Sequence, residues 1–289
     1  MSDDPETPRA NRLTLAGRGH GAMAYLDFGD PARPVDLVFL HANGFNAQTY
    51  RRLLAPLAER FRILAIDQRG HGGTDLETRR EGRGDWLDLR DDLLAFLAAL
   101  DLEGVVLSGH SMGATVSLLA ADTEPGRCRR LVLFDPVLIP ARPGTSAEDS
   151  PMVQAAERRR AVFPSRADAV SAYRGRGAFR TWPDPILEDY VAAGFHDLPG
   201  GDVTLACTPA WEASGYATQG HQPRAQAALL RAAVPADILC AETASTCHVN
   251  DPDALDEERT RIATIPGSTH FLPMERPDLV LSALTAALT

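Results

Sequence analysis

The sequence predicts an α/β protein: a mostly parallel, eight-stranded sheet flanked by helices, with a mainly helical segment inserted after the sixth strand. Three observations lead there. Short apolar runs alternate with helical patterns along most of the chain. Several of those runs are apolar at successive positions, as in strands covered on both faces. Between Pro136 and about Pro235 the rhythm stops, and repeated Pro and Gly separate short helical patterns with no convincing buried strand.

Taken in order, 12–18 and 22–28 alternate apolar and polar residues around Gly19-His20-Gly21, the pattern of a hairpin at a sheet edge. Asp36–Leu40 and Phe61–Ile66 read as buried strands, with a helical spacing from Gln48 to Arg60 between them. Trp86 to Leu100 places Leu89, Leu93, Leu97 and Leu100 on one helical face, and Gly104 ends it. A strand from Val105, a helix over 112–122 and a strand over 129–135 follow. Helical patterns at 151–162, 166–174, 184–194 and 208–217 fill the inserted segment. The strand–helix rhythm resumes with 237–241, a helix near 252–258, a strand over 261–265 and a closing helix over 276–288. This reading divides the chain into a disordered lead-in (1–11), a core (12–137 and 234–289) and a helical cap (138–233).

Composition removes several classes of function. Thirty-nine acidic residues against 29 basic ones give a net charge of −10, which disfavours a nucleic-acid or anionic-membrane partner. No apolar run approaches the ~20 residues of a membrane helix, so no membrane insertion is expected. Every one of the 29 basic residues is Arg; without Lys, neither a Schiff base nor a Walker-type phosphate loop can form. Cys128, Cys207, Cys240 and Cys247 lack C-x-x-C spacing, and MSDDPETPRANR lacks the basic and apolar regions of a secretory signal. Reduced thiols in a cytoplasmic protein are the expectation. No Cys, His or acidic cluster has metal-ligand spacing, and Gly17-Arg18-Gly19-His20-Gly21 lacks the strand–helix context of a dinucleotide site. No metal or cofactor is expected.

The chemistry concentrates in Val105-Val106-Leu107-Ser108-Gly109-His110-Ser111-Met112-Gly113, which reads strand, G-x-S-x-G, helix. A nucleophile on a sharp strand-to-helix turn presents its hydroxyl outward, and the flanking glycines are placed where a Cβ would collide with the turn. A serine hydroxyl needs a base that is oriented by an acid. His270 fits the base, in a loop Pro266-Gly267-Ser268-Thr269 just past the last strand. His41 and His110 flank the site and read as structural hydrogen-bonding groups; His20, His71, His196, His221 and His248 receive no role.

Together the sheet order, the Ser111 turn, the His270 loop and the inserted segment resemble the α/β-hydrolase fold over residues ~12–289. Leu40-His41-Ala42-Asn43-Gly44-Phe45 resembles the His-Gly-x loop that supplies half of an oxyanion hole, with Ala42 where many relatives have Gly. Asp67-Gln68-Arg69-Gly70-His71-Gly72 resembles the family's Asp-x-Arg-Gly-x-Gly turn, which is chiefly structural. The resemblance implies backbone amides of Met112 and Asn43 as oxyanion donors. For the acid, the usual place after the seventh strand holds Ala244. Asp135, at the end of the sixth strand where some relatives carry it, is preferred, with Glu242 the alternative. Ser at the turn separates the chain from Asp-nucleophile dehalogenases and epoxide hydrolases of this fold.

The inserted segment holds Phe163, Tyr173, Phe179, Trp182, Phe195, Trp211 and Tyr216, beside Arg158-Arg159-Arg160, Arg174, Arg176 and Arg180. Two readings stand: packing with a solvated basic face, or an aromatic substrate wall with an arginine for a carboxylate. Phe45, His110, Trp182 and Trp211 are the candidate substrate contacts. The expected function is a cofactor-free serine hydrolase of the carboxylesterase type, taking a small or medium ester. Lactone, amide or C–C hydrolysis, perhydrolysis, and a non-turning-over small-molecule receptor of the same fold remain alternatives. A homodimer is left open.

Overall fold

The computed structural model describes residues 7–139 and 150–289. Its main sheet contains β1 (Arg9–Leu13), β2 (Met23–Phe28), β3 (Leu37–Leu40), β4 (Ile63–Ile66), β5 (Val105–His110) and β6 (Cys128–Phe134). A smaller sheet holds β7 (Val162–Phe163), β8 (Phe195–Asp197) and β9 (Val203–Leu205); β10 (Ala236–Ala241) and β11 (Thr260–Ile265) then complete the main one. The order across the main sheet is β1-β2-β4-β3-β5-β6-β10-β11. β2 runs antiparallel to β1 and β4, and the remaining pairs are parallel.

β3, β4 and β5 are buried at every position, as their uninterrupted apolar runs require. Along β3 the faces alternate. Leu37 and Phe39 share a core with Val280 and Leu284 of the closing helix Pro277–Leu288, while Val38 and Leu40 share one with Leu93 and Leu97 of the helix Leu87–Ala99. The helix Met112–Thr123 is buried from Met112 to Ala121, because it lies beneath both neighbouring helices and the sheet. Among the described residues no helix is long and apolar enough to cross a membrane.

Several expectations are corrected. β1 begins at Arg9, inside the expected lead-in: Arg9–Asn11 pair with Tyr25–Asp27, and Arg9 forms an ion pair with Asp27 at 3.0 Å. RANRL holds its place by ladder hydrogen bonds and charge, not by an apolar pattern; residues 1–6 of the lead-in lie outside the described residues. The helical spacing over Gln48–Arg60 resolves into three short turns, Ala47–Tyr50, Arg51–Leu54 and Ala55–Leu57. Pro56 has no N–H to continue an α-helix. The helix expected near 252–258 is one turn, Pro252–Ala254, in a stretch with too few apolar residues to bury a face.

The segment between β6 and β10 contains helices at Pro151–Glu157, Arg166–Tyr173, Asp184–Ala193 and Pro209–Ala217. Ser150, Ser165 and Thr208 cap three of these, each side chain accepting an N–H three residues on. A further helix, Gln222–Arg231, was not anticipated; its buried face includes Gln222 and Gln226, which hide the apolar period. Nor was the antiparallel sheet β7-β9-β8, whose strands of two or three residues are too short to show a period of two. This segment docks on the loops after β3 and β4. Asn46 donates to the Tyr190 carbonyl at 3.0 Å, and Trp211 Nε1 to the Arg69 carbonyl at 2.9 Å. Arg51 and Arg52 both reach Asp189, at 3.1 and 2.8 Å.

Candidate active site

Ser111 follows β5 with φ 55° and ψ −118°, a conformation that costs a non-glycine residue about 1–3 kcal/mol. The backbone can turn this tightly because its neighbours lack side chains. A Cβ on Gly109 would sit 2.5 Å from the Gly113 carbonyl carbon, and one on Gly113 would sit 2.4 Å from the Leu40 carbonyl oxygen. Ser111 N–H is anchored to the Phe134 carbonyl at 2.9 Å. The helix that starts at Met112 leaves its first amide pointing ahead of the strand end.

His270 Nε2 lies 2.9 Å from Ser111 Oγ, and Nδ1 lies 2.5 Å from Asp135 Oδ2. A carboxylate only accepts, which assigns the proton to Nδ1 and leaves the Nε2 lone pair facing the hydroxyl. Asp135 is fully buried, and burial alone would raise its carboxyl. Hydrogen bonding and charge from His270, with donors from Ser245 Oγ and the Ala241 amide, instead bring it down to about 2. The Thr246 amide completes the cradle at 2.9 Å. Glu242, the alternative acid, is exposed and accepts from the Gly267 amide at 2.9 Å, so it closes the turn leading to His270 without reaching the ring.

Two further residues fix the His270 loop. Glu275 accepts from Thr269 N at 2.7 Å, and the His270 carbonyl accepts from His110 Nε2 at 2.7 Å. The proton of His110 therefore sits on Nε2, and Tyr50 donates its hydroxyl proton to Nδ1 at 2.7 Å. Tyr50 in turn accepts from the Ala42 amide at 3.3 Å. This buried chain joins the His270 loop to the loop after β3.

That second loop is pinned on both sides of Asn43. His41 Nδ1 meets the Ala42 carbonyl at 2.8 Å, while its Nε2 accepts from the Gln68 amide at 2.9 Å. Gly44 N–H donates to His71 Nε2 at 3.0 Å, and His71 Nδ1 donates to the Arg69 carbonyl at 2.9 Å. Both imidazoles must be neutral to bond this way. Burial lowers His41 to about 4 and His71 well below its usual range, in agreement. The Asn43 side chain donates to the Glu212 carbonyl at 2.9 Å. The amides of Asn43 and Met112, by contrast, take no protein acceptor among the described residues.

Of the four candidate substrate contacts, Phe45 and Trp182 lie together, with ring centroids 5.0 Å apart. Phe271, next to His270, joins them at 6.2 Å from Phe45 and 6.0 Å from Trp182. Tyr190 stands 5.8 Å from Phe45. His110 is wholly buried and acts in the hydrogen-bonded chain above, not as a wall. Trp211 is elsewhere: it packs on Gly70 and lies 4.2 Å from the Arg83 guanidinium, between the inserted segment and the loop after β4. Arg159 is half-buried and engaged by Glu212, Tyr190 and Tyr173, whereas Arg174, Arg176 and Arg180 are exposed.

Sequence reading thus reached Ser111, His270 and Asp135, which the structure brings into one hydrogen-bonded line. It missed Tyr50, Ser245, Thr246 and His71. Tyr50 and Thr246 sit in turns with no distinctive spacing; His71 lay inside the quoted Asp-Gln-Arg-Gly-His-Gly turn and could have been suspected from it.

A sequence model described as the alpha/beta hydrolase family matches residues 37–283. A 2-(acetamidomethylene)succinate hydrolase of Mesorhizobium japonicum is 26% identical over 254 residues, 86% of each chain. The crystal structure of E-2-(acetamidomethylene)succinate hydrolase superposes with a TM-score of 0.75 at 21% identity, over 97% of this chain and 99% of that one. The thioesterase domain from the curacin biosynthetic pathway gives 0.76 at 18% identity, over 98% and 100%. With the family matched across most of its length and the same fold recovered, this chain belongs to the alpha/beta hydrolase family.

Proposed function

We propose that the protein is a serine hydrolase that cleaves a small or medium carboxylic ester through an acyl-enzyme on Ser111. The observation that carries this reading is the line Ser111 Oγ–His270–Asp135, at 2.9 and 2.5 Å. As Ser111 Oγ attacks the carbonyl carbon, its proton passes to His270 Nε2. The positive imidazolium is compensated by Asp135, which stays ionised. Negative charge moves to the former carbonyl oxygen, where the Met112 and Asn43 amides donate; each such donor is worth roughly 3–4 kcal/mol. Collapse expels the alcohol, which takes the proton from Nε2. Water then enters, gives a proton to His270, and releases the acid and the free Ser111 hydroxyl. No cofactor is required for these steps. The inserted segment, docked over the loops that carry Asn43 and Phe45, would serve as the cap.

Steady-state release of p-nitrophenol from esters of increasing acyl length tests the reading. Many turnovers, lost in Ser111→Ala, are expected. A burst of about one equivalent without turnover would instead favour a receptor. A second reading, amide hydrolysis, is favoured by the Mesorhizobium relative, which is named as a hydrolase of an acetamido compound. Anilides of the best acyl group decide between the two.

A further inference from the structure

The three tryptophans differ in one respect. Trp86 Nε1 donates to the Gly215 carbonyl at 3.1 Å, and Trp211 Nε1 to the Arg69 carbonyl at 2.9 Å. Trp182 is 93% buried, yet its Nε1 has no protein acceptor among the described residues. A buried tryptophan usually finds a partner for its N–H, and leaving that donor unmet is unfavourable. This one lies within the aromatic group beside the reacting pair, edge-on to Phe45, Phe179, Tyr190 and Phe271. Phe271 follows His270 directly, with the two ring centroids 5.7 Å apart.

We propose that Trp182 is a specificity-determining residue, its indole N–H donating to an uncharged acceptor oxygen on an aromatic substrate held against Phe45 and Phe271. This inference rests on the reading of Ser111 and His270 as the reacting groups. The rings favour an aromatic guest, which stacks or meets them edge to face. They disfavour a carboxylate, whose desolvation one neutral N–H does not offset. Arg159, the arginine bonded to Tyr190 and Tyr173, already holds Glu212 and is not free to receive an anion. The site thereby separates this chain from a substrate of the succinate kind named for its relative.

The test uses isosteric pairs that differ by one acceptor: 4-methoxyphenyl against 4-ethylphenyl acetate, and methyl 4-methoxybenzoate against methyl 4-ethylbenzoate. Binding to the Ser111→Ala protein is read by equilibrium titration and by the Trp182 indole N–H resonance. The methoxy member of one pair should bind ~10-fold tighter and move that proton downfield, with the preference gone in Trp182→Phe. Equal binding within both pairs, or a preference that survives Trp182→Phe, overturns the proposal. Should Trp182→Phe fail to fold, the indole resonance decides alone, and an unmoved proton in the methoxy complexes overturns it. Turnover of the same esters by the unaltered protein is scored separately. Discrimination in binding without Ser111-dependent turnover keeps the Trp182 site and removes the hydrolase reading.

Discussion

Lowering the pH from 7 to 5 should destabilise this protein through histidines that the fold keeps neutral. His41 and His221 are buried, and loss of solvation lowers them to about 4 and about 3. An unfolded chain takes up protons near 6.5, the folded one does not, so stability is full above 6.5 and lost as pH falls toward the folded values. Each of these two groups then withdraws ~2 kcal/mol by pH 5. Asp67 opposes them. Burial raises it to about 6 despite the Ala47 and Gly73 amides, so the folded state takes its proton first and regains ~1.3 kcal/mol by pH 5. Between these three groups the histidines win, leaving a loss of ~2–3 kcal/mol; His71 and His110, shifted down by burial, add to it, and Asp88 and Glu212, shifted up by burial, oppose it. Against a typical stability of ~5–15 kcal/mol this is readily measured. Urea unfolding at pH 7, 6 and 5 is the assay. His221→Phe, which keeps the stack on Trp86 (centroids 3.9 Å apart) and lies outside the Ser111 line, should remove ~2 kcal/mol of the dependence. A stability flat within ~1 kcal/mol over that range would refute the reasoning.

Asp135→Asn should lower kcat by ~10³–10⁴, because the His270 tautomer and its charge compensation are lost, while Glu242→Gln stays near the unaltered rate; pH–rate profiles of both read the outcome. Gly113→Ala drives a Cβ to 2.4 Å from the Leu40 carbonyl oxygen, where only backbone could yield. Loss of soluble folded protein, or a loss of stability above ~3 kcal/mol, is expected by circular dichroism and urea unfolding. Tyr50→Phe leaves His110 Nδ1 without its donor and should cost ~1–3 kcal/mol in unfolding free energy. It should also lower kcat more than it raises KM, since the same chain sets the His270 and Ala42 loops.

The parts of the fold that were legible are those whose signal is apolar and long. β3, β4 and β5 announce themselves because a strand buried on both faces must be apolar throughout. The edge hairpin was legible but the start of β1 was not, since Arg9–Asn11 are held by pairing and the Arg9–Asp27 contact, and β7 to β9 are shorter than any period. In the site, Ser111 was readable because steric necessity writes glycines on either side of it. Asp135 was harder. Its suitability depends on Ala241, Ser245 and Thr246, over a hundred residues away, arriving as donors around a buried carboxylate. Trp211 shows the opposite limit: an aromatic residue in the inserted segment looks alike whether it lines a substrate or, as here, fastens that segment to the loop after β4.

The central claim is that Ser111 carries the acyl group. Rapid quench of the protein with an excess of p-nitrophenyl ester, followed by intact-mass and peptide mass spectrometry, tests it most directly. The account predicts one acyl adduct per chain, located on the peptide containing Ser111, formed and discharged at rates compatible with turnover and absent in Ser111→Ala. Turnover that persists in Ser111→Ala, or an adduct on any other side chain, would contradict it.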